Sequence, residues 1–205
     1  MHTLIVVSHP IADSLTHTVA KQIAEGITGS KGGHSVEIAD LAAEGFDPRF
    51  TPTDMNFFNG KASLPEDVIV EQQRIERADS LVLVYPIYWW SMPGLLKGWI
   101  DRVFTNGWAF YDDGTGKVAK KLTHLKVHLV ALGGADMRTF ARHGYFGAMK
   151  TQIDHGIFDY CGAQVITSEL IHTDHSADVE ANLALAKKLG QKVVATHQQA
   201  ESLCA

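Results

Sequence analysis

Two adjacent tryptophans stand between a strand and a helix in YPIYWWSMPGLLKGWIDRVF, residues 85–104. This stretch continues the apolar run SLVLVYP (80–86), which predicts a strand buried on both faces. A helix is predicted from near Pro93, because apolar side chains then recur at helical spacing, at Leu95, Leu96, Trp99, Ile100 and Val103. A turn at this joint is normally polar, so Trp89 and Trp90 raise the possibility of a flat ligand at the exit of the strand.

The rest of the chain repeats this alternation of strand and helix. Apolar, β-branched runs predict four further strands, at 3–8, 34–41, 125–134 and 163–171. Helical periodicity is found at four more places: after Ser14 and over 68–79, 146–162 and 177–197. Because parallel strands need crossover connections, we predict a doubly wound α/β fold, a five-stranded parallel sheet with helices on both faces. Ligands of such folds bind outside the carboxyl ends of the strands.

Two long segments interrupt the alternation. Residues 42–66 are predicted to form an irregular insert, rich in proline, glycine, asparagine and aromatic residues, and residues 105–121 an aromatic loop. Loops of this length in a compact domain are more often functional than idle. No repeat, low-complexity tract or linker divides the chain, so we expect a single domain over residues 1–205.

Composition and charge exclude several classes of partner. The 205-residue chain has a net charge of −5 and scattered lysines and arginines, which argues against nucleic acid. It contains no apolar run near the ~20 residues that span a bilayer, and its N-terminus lacks the features of a signal peptide. We therefore expect a cytoplasmic protein without stable membrane insertion, in which Cys161 and Cys204 are reduced thiols.

The eleven histidines of the chain raise the question of a metal site. However, there is no HExxH or CxxC pattern. His172 and His175 flank two polar residues at the end of a predicted strand and are interpreted as loop residues. We predict no bound metal.

The exit of the first strand predicts an anion site. SHPIADSLT (8–16) leads into a helix whose first N–H groups have no intrahelical acceptor and whose dipole is positive at this end. His9, Ser14 and Thr16 supply further donors. A capped helix start without a ligand is the alternative. Neither the dinucleotide fingerprint GxGxxG nor the ATP-type GxxxxGK[ST] loop is present.

The third and fourth strands end in features that suit a planar ring. Core or interface packing is the commoner role of tryptophan, but Trp89 and Trp90 stand at a strand end rather than at a periodic core position. Gly133 and Gly134 either let the backbone approach a ligand or form a simple turn. His143 follows them, as a proton-handling group or as an ordinary exposed histidine. A phosphate site beside a planar slot, without a dinucleotide fingerprint, points to a flavin.

Several motifs together identify a family resemblance that covers nearly the whole chain. They are SHP after the first strand, FDP (46–48), LPEDVIVEQQRIERAD (64–79), LGG (132–134), FDYCGAQV (158–165) and, most specific, WWSMPGLLKGWIDRVF (89–104). With these motifs the chain resembles the NAD(P)H:quinone oxidoreductase family, the DT-diaphorase-like branch of the flavodoxin-fold proteins. The resemblance implies a flavodoxin-like sheet in the order 2-1-3-4-5. It also implies hydride transfer from NAD(P)H to a quinone-like acceptor, with donor and acceptor using one slot in turn.

Matching positions imply a role for individual residues. The flavin phosphates would be held by His9, Ser14, Leu15 and Thr16. The isoalloxazine ring would be lined, partly through backbone amides, by Pro86, Ile87, Tyr88, Trp89 and Trp90, with Leu132, Gly133 and Gly134 along its pyrimidine side. His143 matches a family histidine that relays charge, and so is the implied catalytic residue. Met137 stands where the family has a tyrosine, and the nearby Tyr145 does not match that position.

The resemblance also bears on the cofactor and on partners. Smaller relatives lack an insert after the second strand and many bind FMN, whereas the larger quinone reductases have one and bind FAD. We therefore expect FAD, with Asn56 or Phe58 near the adenine, and keep FMN as the alternative. The family forms symmetric dimers, and a homodimer is expected here. The aromatic residues that support this expectation are Trp89, Trp90, Trp108, Phe110 and Tyr111.

Two other functions belong to different classes of protein. A regulatory or ancillary flavoprotein subunit of a potassium efflux transporter is the alternative, because some relatives have that role. An electron-carrier flavodoxin is disfavoured, since such carriers are usually strongly acidic and this chain is only mildly so.

Overall fold

The computed structural model describes the backbone of residues 1–173 and 177–204, and side chains as far as residue 199. Its main sheet has five parallel strands: β1 (His2–Val7), β2 (Ser35–Asp40), β3 (Ser80–Pro86), β6 (Lys126–Gly133) and β7 (Gln164–His172). A separate antiparallel hairpin joins β4 (Phe110–Asp112) to β5 (Val118–Lys120). The sheet order β2-β1-β3-β6-β7 confirms the predicted fold and, for these five strands in sequence, the order 2-1-3-4-5.

Helices cover both faces of the sheet. They are α1 (Leu15–Thr28), α2 (Pro52–Phe58), α3 (Glu66–Glu76), α4 (Gly94–Val103), α5 (Met137–His143), α6 (Tyr145–Met149), a π-helix (Lys150–Asp159) and α7 (Val179–Cys204). The strands alternate between two apolar layers, because successive side chains point to opposite faces. One layer packs Ile5, Val7 and Val82 against α1 and α7. The other packs Leu83 and Tyr85 against α3, α4 and the π-helix.

The segment predicted as an irregular insert contains a helix. Thr51 and Asp54 form a capping box at the start of α2, in which each side chain bonds the other residue's backbone N–H. Asp54 is buried and accepts a hydrogen bond from Arg102 Nε at 3.0 Å. This short helix is therefore stabilised by a residue 48 positions away in the sequence, which explains why its periodicity alone does not predict it. The aromatic loop likewise contains the β4–β5 hairpin.

The region after the glycine pair also differs from the prediction of a loop followed by a helix from 146. Asp136 caps α5 by accepting the N–H of Thr139 at 2.7 Å, so a helix begins about nine residues earlier than expected. Gly144, with φ of 71°, ends α5 and begins α6. The helix then widens into π geometry at Lys150, a rare form that occurs often at functional sites. His143 consequently lies at the last residue of α5 rather than in a loop.

No helix among the described residues is both long and apolar enough to cross a membrane. Cys161 is a buried free thiol, and burial raises its pKa to about 11. The side chain of Cys204 lies outside the described residues.

Candidate functional site

The exits of β1, β3 and β6 lie side by side at the carboxyl edge of the sheet. Val7 pairs with Val84, and Val84 pairs with Val130. Neighbouring strands are about 4.8 Å apart, so the three exits span about 10 Å. The structure therefore brings together the loop after Ser8, the tryptophan pair and the glycine pair.

Trp89 and Trp90 form the two central positions of a tight turn. Tyr88 N donates to Ser91 O at 3.0 Å, and Ser91 N donates to Tyr88 O at 3.1 Å. Both tryptophans are left-handed, with φ of 50° and 63°, a backbone conformation that favours asparagine and glycine in such turns. None of the hydrogen bonds in the described part of the chain uses the N–H group of Trp89 or of Trp90. Two strained residues therefore present free donors at the strand exit.

A groove of about 250 Å³ lies between this turn and the glycine pair. Its lining residues are Ile87, Trp89, Trp90, Gly133, Gly134, Ala135 and Phe140. A β-carbon at position 133 would press on the side chains of Ile87, Phe140 and Leu170, at 3.4, 3.3 and 3.0 Å. Glycine at 133 thus keeps the groove open. The predicted residues Pro86, Tyr88 and Leu132 flank this groove along the chain but are not part of its lining.

An aromatic stack closes one side of the groove. The rings of Trp90 and Tyr145 are parallel, with centroids 3.7 Å apart and planes at 12°. Phe140 meets Trp90 edge-on at 5.5 Å, and the ring of His143 lies 5.4 Å from that of Tyr145. Tyr145 does not match the family's tyrosine position, but the fold places it against Trp90 at the edge of the groove. His143 is exposed and does not line the groove; it contacts Tyr145, which stacks on Trp90.

Met137, at the position of the family's tyrosine, does not line this groove. Its side chain is 52% exposed and borders a different cavity. Met137 therefore makes no direct contact with the groove.

The loop after β1 presents donors for an anion. Ser14 caps α1 by accepting the N–H of His17 at 3.3 Å, while the N–H groups of Leu15 and Thr16 belong to the first turn and lack intrahelical acceptors. His9 is half-buried, and its Nδ1 lies 3.1 Å from Ile11 N and 3.2 Å from Ile11 O. Its other ring nitrogen, Nε2, forms no hydrogen bond with a described residue.

A hydrogen-bonded chain runs behind this loop from Ser14 through His17 to Asp40. His17 Nε2 lies 2.7 Å from Asp40 Oδ2, and its Nδ1 lies 2.8 Å from Ser14 Oγ. Partial burial opposes ionisation of Asp40, but hydrogen bonds from Ala43 N–H and from His17 outweigh it and hold the pKa of Asp40 below its ordinary value. The chain fixes the orientation of the Ser14 hydroxyl at the start of α1.

The adenine contacts predicted in the insert lie away from the groove. Phe58 lines an aromatic cavity of about 400 Å³ together with Phe57, Leu64 and Tyr111, beside the end of α4. This cavity shares no lining residue with the groove. Asn56 is exposed and is not part of its lining; its backbone carbonyl accepts the N–H of Lys61.

The histidines considered as metal ligands are only partly described. His172 Nδ1 lies 3.2 Å from the carbonyl oxygen of Ala135. His175 lies outside the described residues. Within the described part of the chain, no three His, Cys, Asp or Glu side chains are grouped as a metal site would need.

Residues 1–193 match the family model described as Flavodoxin-like fold. The chain belongs to the flavodoxin-like family. Ribosyldihydronicotinamide dehydrogenase [quinone] of Mus musculus is 31% identical over 208 residues, covering 89% of this chain and 87% of the relative. A flavodoxin-like structure, the NAD(P)H:quinone oxidoreductase from Methanothermobacter marburgensis, is 27% identical with a TM-score of 0.85. The alignment covers 94% of this chain and 98% of that protein. These matches confirm the resemblance to the NAD(P)H:quinone oxidoreductases.

Another flavodoxin-like structure bears on the cofactor. General stress protein 14 of Treponema denticola, solved in complex with FMN, is 25% identical with a TM-score of 0.63. The alignment covers 97% of this chain and 99% of that protein.

Four residues of the site were not predicted as part of it. His17 and Asp40 join the anion loop, and Phe140 and Tyr145 line or close the groove. The i, i+3 spacing of Ser14 and His17 at a helix start is a signal for the first pair. Asp40, at the end of the strand next to β1, is another. Nothing in the periodicity signals the stack of Tyr145 on Trp90, because it depends on the left-handed Gly144.

Proposed function

We propose that this flavodoxin-like protein is a flavin enzyme that reduces quinones by two electrons at the expense of NAD(P)H. The strained turn at Trp89 and Trp90 carries the proposal. A non-glycine residue in the left-handed region costs about 1–3 kcal/mol, and such strain clusters at functional sites. The turn stands beside a groove next to an anion loop, and the quinone-reducing relatives support the reaction class.

The residues present fit a flavin. A planar ring edge needs N–H donors, and the turn has two without acceptors among the described residues. A phosphate needs donors and positive potential, and the first turn of α1 offers both with His9 and Ser14. Fixed amides beside a ring that becomes negatively charged stabilise that charge without reorganisation.

A flavin held by these residues would supply the two-electron hydride chemistry between NAD(P)H and the quinone. The net reaction converts NAD(P)H, a quinone and one proton to NAD(P)⁺ and a hydroquinone. In this chain the walls formed by Ile87, Trp90 and Phe140 position a flat donor or acceptor and exclude water. Because one groove serves both molecules, we propose that NAD(P)⁺ leaves before the quinone binds.

His143 supplies the proton or steadies the hydroquinone anion in this proposal. Tyr145 lies between His143 and Trp90 and so sets the position of the imidazole. His143→Ala is expected to lower kcat/KM for the quinone by 10²-fold or more, the usual range for general acid catalysis, with little change in flavin content. His155, an exposed histidine of the π-helix, is the matched control. If His143→Ala lost flavin in the same proportion as it lost activity, His143 would instead be a structural residue.

The proposed flavin is FAD, with FMN as the alternative. The insert supports FAD only through the resemblance to the larger quinone reductases, because its aromatic cavity shares no lining residue with the groove. The FMN-bound neighbour supports the alternative. Heat release of the cofactor from purified protein, followed by chromatography against FAD and FMN, distinguishes the two.

We also propose that the chain acts as a single domain, works in the cytoplasm and forms a homodimer. The continuous five-stranded sheet supports the first proposal and the buried free Cys161 the second. Exposed aromatic residues support the third: Trp89 is 93% exposed and Phe58 is 68% exposed.

Initial rates test the reaction and its order. With a water-soluble quinone varied at several fixed NAD(P)H concentrations, double-reciprocal plots should give parallel lines. Intersecting lines would contradict the shared groove while leaving quinone reduction intact. Protein that carries no flavin, binds neither FAD nor FMN and shows no quinone-dependent NAD(P)H oxidation would overturn the proposed function.

A further inference from the structure

A second cavity, which we call the lower cavity, lies between the π-helix and strands β6 and β7. Its volume is about 310 Å³. It is lined by Tyr85, Ala131, Met137, Phe146, Met149, Lys150, Ile153, Asp154, Ser168, Glu169 and Leu170. Tyr85 shares its face of β3 with Ile87, and Ala131 shares its face of β6 with Gly133. The lower cavity therefore lies two residues earlier along the chain, at both strands, than the groove does. The two cavities share no lining residue.

Tyr85 brings a hydroxyl group to this cavity. The residue is only 1% exposed, and its hydroxyl oxygen, which is not fully sealed from solvent, forms no hydrogen bond with any described residue. Burial, and then the charge of Asp154, raise the pKa of Tyr85, so the hydroxyl remains a proton donor across the physiological range. The hydroxyl is therefore available to donate a hydrogen bond to a molecule in the cavity.

Asp154 adds a second polar group on the opposite wall. It lies in the π-helix and is 8% exposed. The charged group nearest to its carboxylate is Lys150, with Nζ 3.8 Å from Oδ2, beyond good hydrogen-bonding distance. Burial raises the pKa of Asp154 despite that lysine. At this distance Lys150 leaves lone pairs of the carboxyl oxygens open to a donor in the cavity.

The remaining walls are largely apolar. Met149, Ile153 and Leu170 contribute side chains, and Met137 and Phe146 cover the cavity from the α5–α6 segment. The lining includes one cationic side chain, Lys150, and two acidic ones, Asp154 and Glu169, which disfavours an anionic ligand. Water gains few partners from thioether, aromatic and aliphatic walls. The cavity therefore suits a neutral, mostly apolar molecule with one polar end.

We propose that the lower cavity is a second binding site, for a small neutral phenol or hydroquinone whose ring packs on Met149 and Leu170. Its oxygen accepts a hydrogen bond from the Tyr85 hydroxyl, and its own hydroxyl donates a hydrogen bond to the Asp154 carboxyl group. A volume of about 310 Å³ admits one or two fused rings. The site is separate from the flavin groove, so it does not depend on the proposed function.

Titration with 4-fluorophenol tests the site on the protein as purified, with its cofactor. Methionine methyl groups labelled with ¹³C report the location of the probe, because Met137 and Met149 line the lower cavity whereas Met55 lies in α2. We expect saturable shifts of the first two methyl signals and none at Met55. Tyr85→Phe should weaken binding at least tenfold without loss of stability, since it removes a hydroxyl that has no protein partner. Tyr160→Phe, at an exposed tyrosine outside the cavity, is the matched control and should bind as wild type does.

Ala131→Leu provides a second, independent variant, because it fills the lower cavity and leaves Tyr85 and Asp154 in place. It should abolish the shifts at Met137 and Met149. Three outcomes would overturn the proposal: no saturable shift at either methyl group, equal affinity in Tyr85→Phe and wild type, or shifts that persist in folded Ala131→Leu. The last would mean that the probe binds elsewhere. None of these outcomes bears on whether the protein carries a flavin and reduces quinones.

Discussion

Trp89 and Trp90 occupy backbone positions that asparagine and glycine fill at far lower cost. Their side chains have different surroundings, since Trp90 stacks on Tyr145 whereas Trp89 is 93% exposed. Packing against Tyr145 offsets the backbone strain at Trp90, but no contact in the described structure offsets the strain at Trp89. We infer that the indole of Trp89 is retained for a ligand or a partner, at the expense of stability.

Trp89→Asn should therefore stabilise the fold and weaken function. Asparagine tolerates the left-handed region, so we expect the free energy of unfolding to rise by about 1 kcal/mol. Flavin or quinone affinity should fall. Urea unfolding and a flavin titration measure the two effects. The matched change Trp90→Asn should lower stability instead, because it removes the contacts with Phe140 and Tyr145. A destabilised Trp89→Asn protein would contradict the inferred strain.

Asp40 gives the stability of the fold a measurable pH dependence. The folded-state pKa of Asp40 lies below its ordinary value, so its ionised form stabilises the fold above the unfolded-state pKa of about 3.9. That contribution disappears as the pH falls through the folded-state pKa. Asp40→Asn should therefore be less stable than wild type by about 1 kcal/mol at pH 7. The difference should shrink in acid, below about pH 4.

Urea unfolding from pH 7 to pH 3 measures this difference. Asp13→Asn, at an exposed residue of the same loop, should leave the profile unchanged. A difference between Asp40→Asn and wild type that stays constant or grows in acid would show that the His17–Asp40 bond does not act as described.

At the scale of whole elements, α1 and α7 cross on one face of the sheet through two glycines. A β-carbon on Gly26 would overlap the carbonyl oxygen of Lys187, and one on Gly190 would overlap that of Ile23. The two helix backbones are thus in direct contact. This contact fixes α1, and with it the Ser14 cap at the anion loop.

Gly26→Ala should separate the two helices. Alanine gains about 1 kcal/mol of helix propensity, but the overlap with backbone cannot relax, and we expect a net loss of 2 kcal/mol or more. Gly147→Ala, in α6, is the control, because an added β-carbon there meets nothing within 4 Å. That variant should be as stable as wild type or more so. Thermal unfolding of both variants measures these changes in stability. A Gly26→Ala protein that is more stable than wild type would contradict the close packing of α1 on α7.

An element can be predicted from sequence where local signals or a uniformly apolar run of residues determine it. Strands β1, β3 and β6 are recognisable because runs such as LIVV and LVLV are buried on both faces. The short helix α2 is not, since it depends on the distant Arg102. A π-helix has no period that distinguishes it from an α-helix in sequence, so the site between it and the sheet could not be anticipated. The strand exits were predictable, whereas the stack of Tyr145 on Trp90 was not.

The whole molecule exposes aromatic side chains that a dimer would cover. Phe58, Tyr88, Trp89 and Tyr111 are each at least 47% exposed. Single exposed aromatics are ordinary, but several together indicate an interface. Sedimentation at micromolar concentration should give twice the mass of one chain, and Tyr111→Arg should shift the protein toward the monomer. A wild-type protein that sediments as a monomer would contradict the proposed homodimer.

Anaerobic half-reactions test the central claim, hydride transfer through a bound flavin, most directly. On mixing the purified holoprotein with NAD(P)H under anaerobic conditions, the flavin absorption band near ~450 nm should bleach. Adding a stoichiometric quinone should restore the band and yield one hydroquinone per flavin. A band that NADH and NADPH both leave unchanged, or a reduced protein that the quinone does not reoxidise, would contradict the claim.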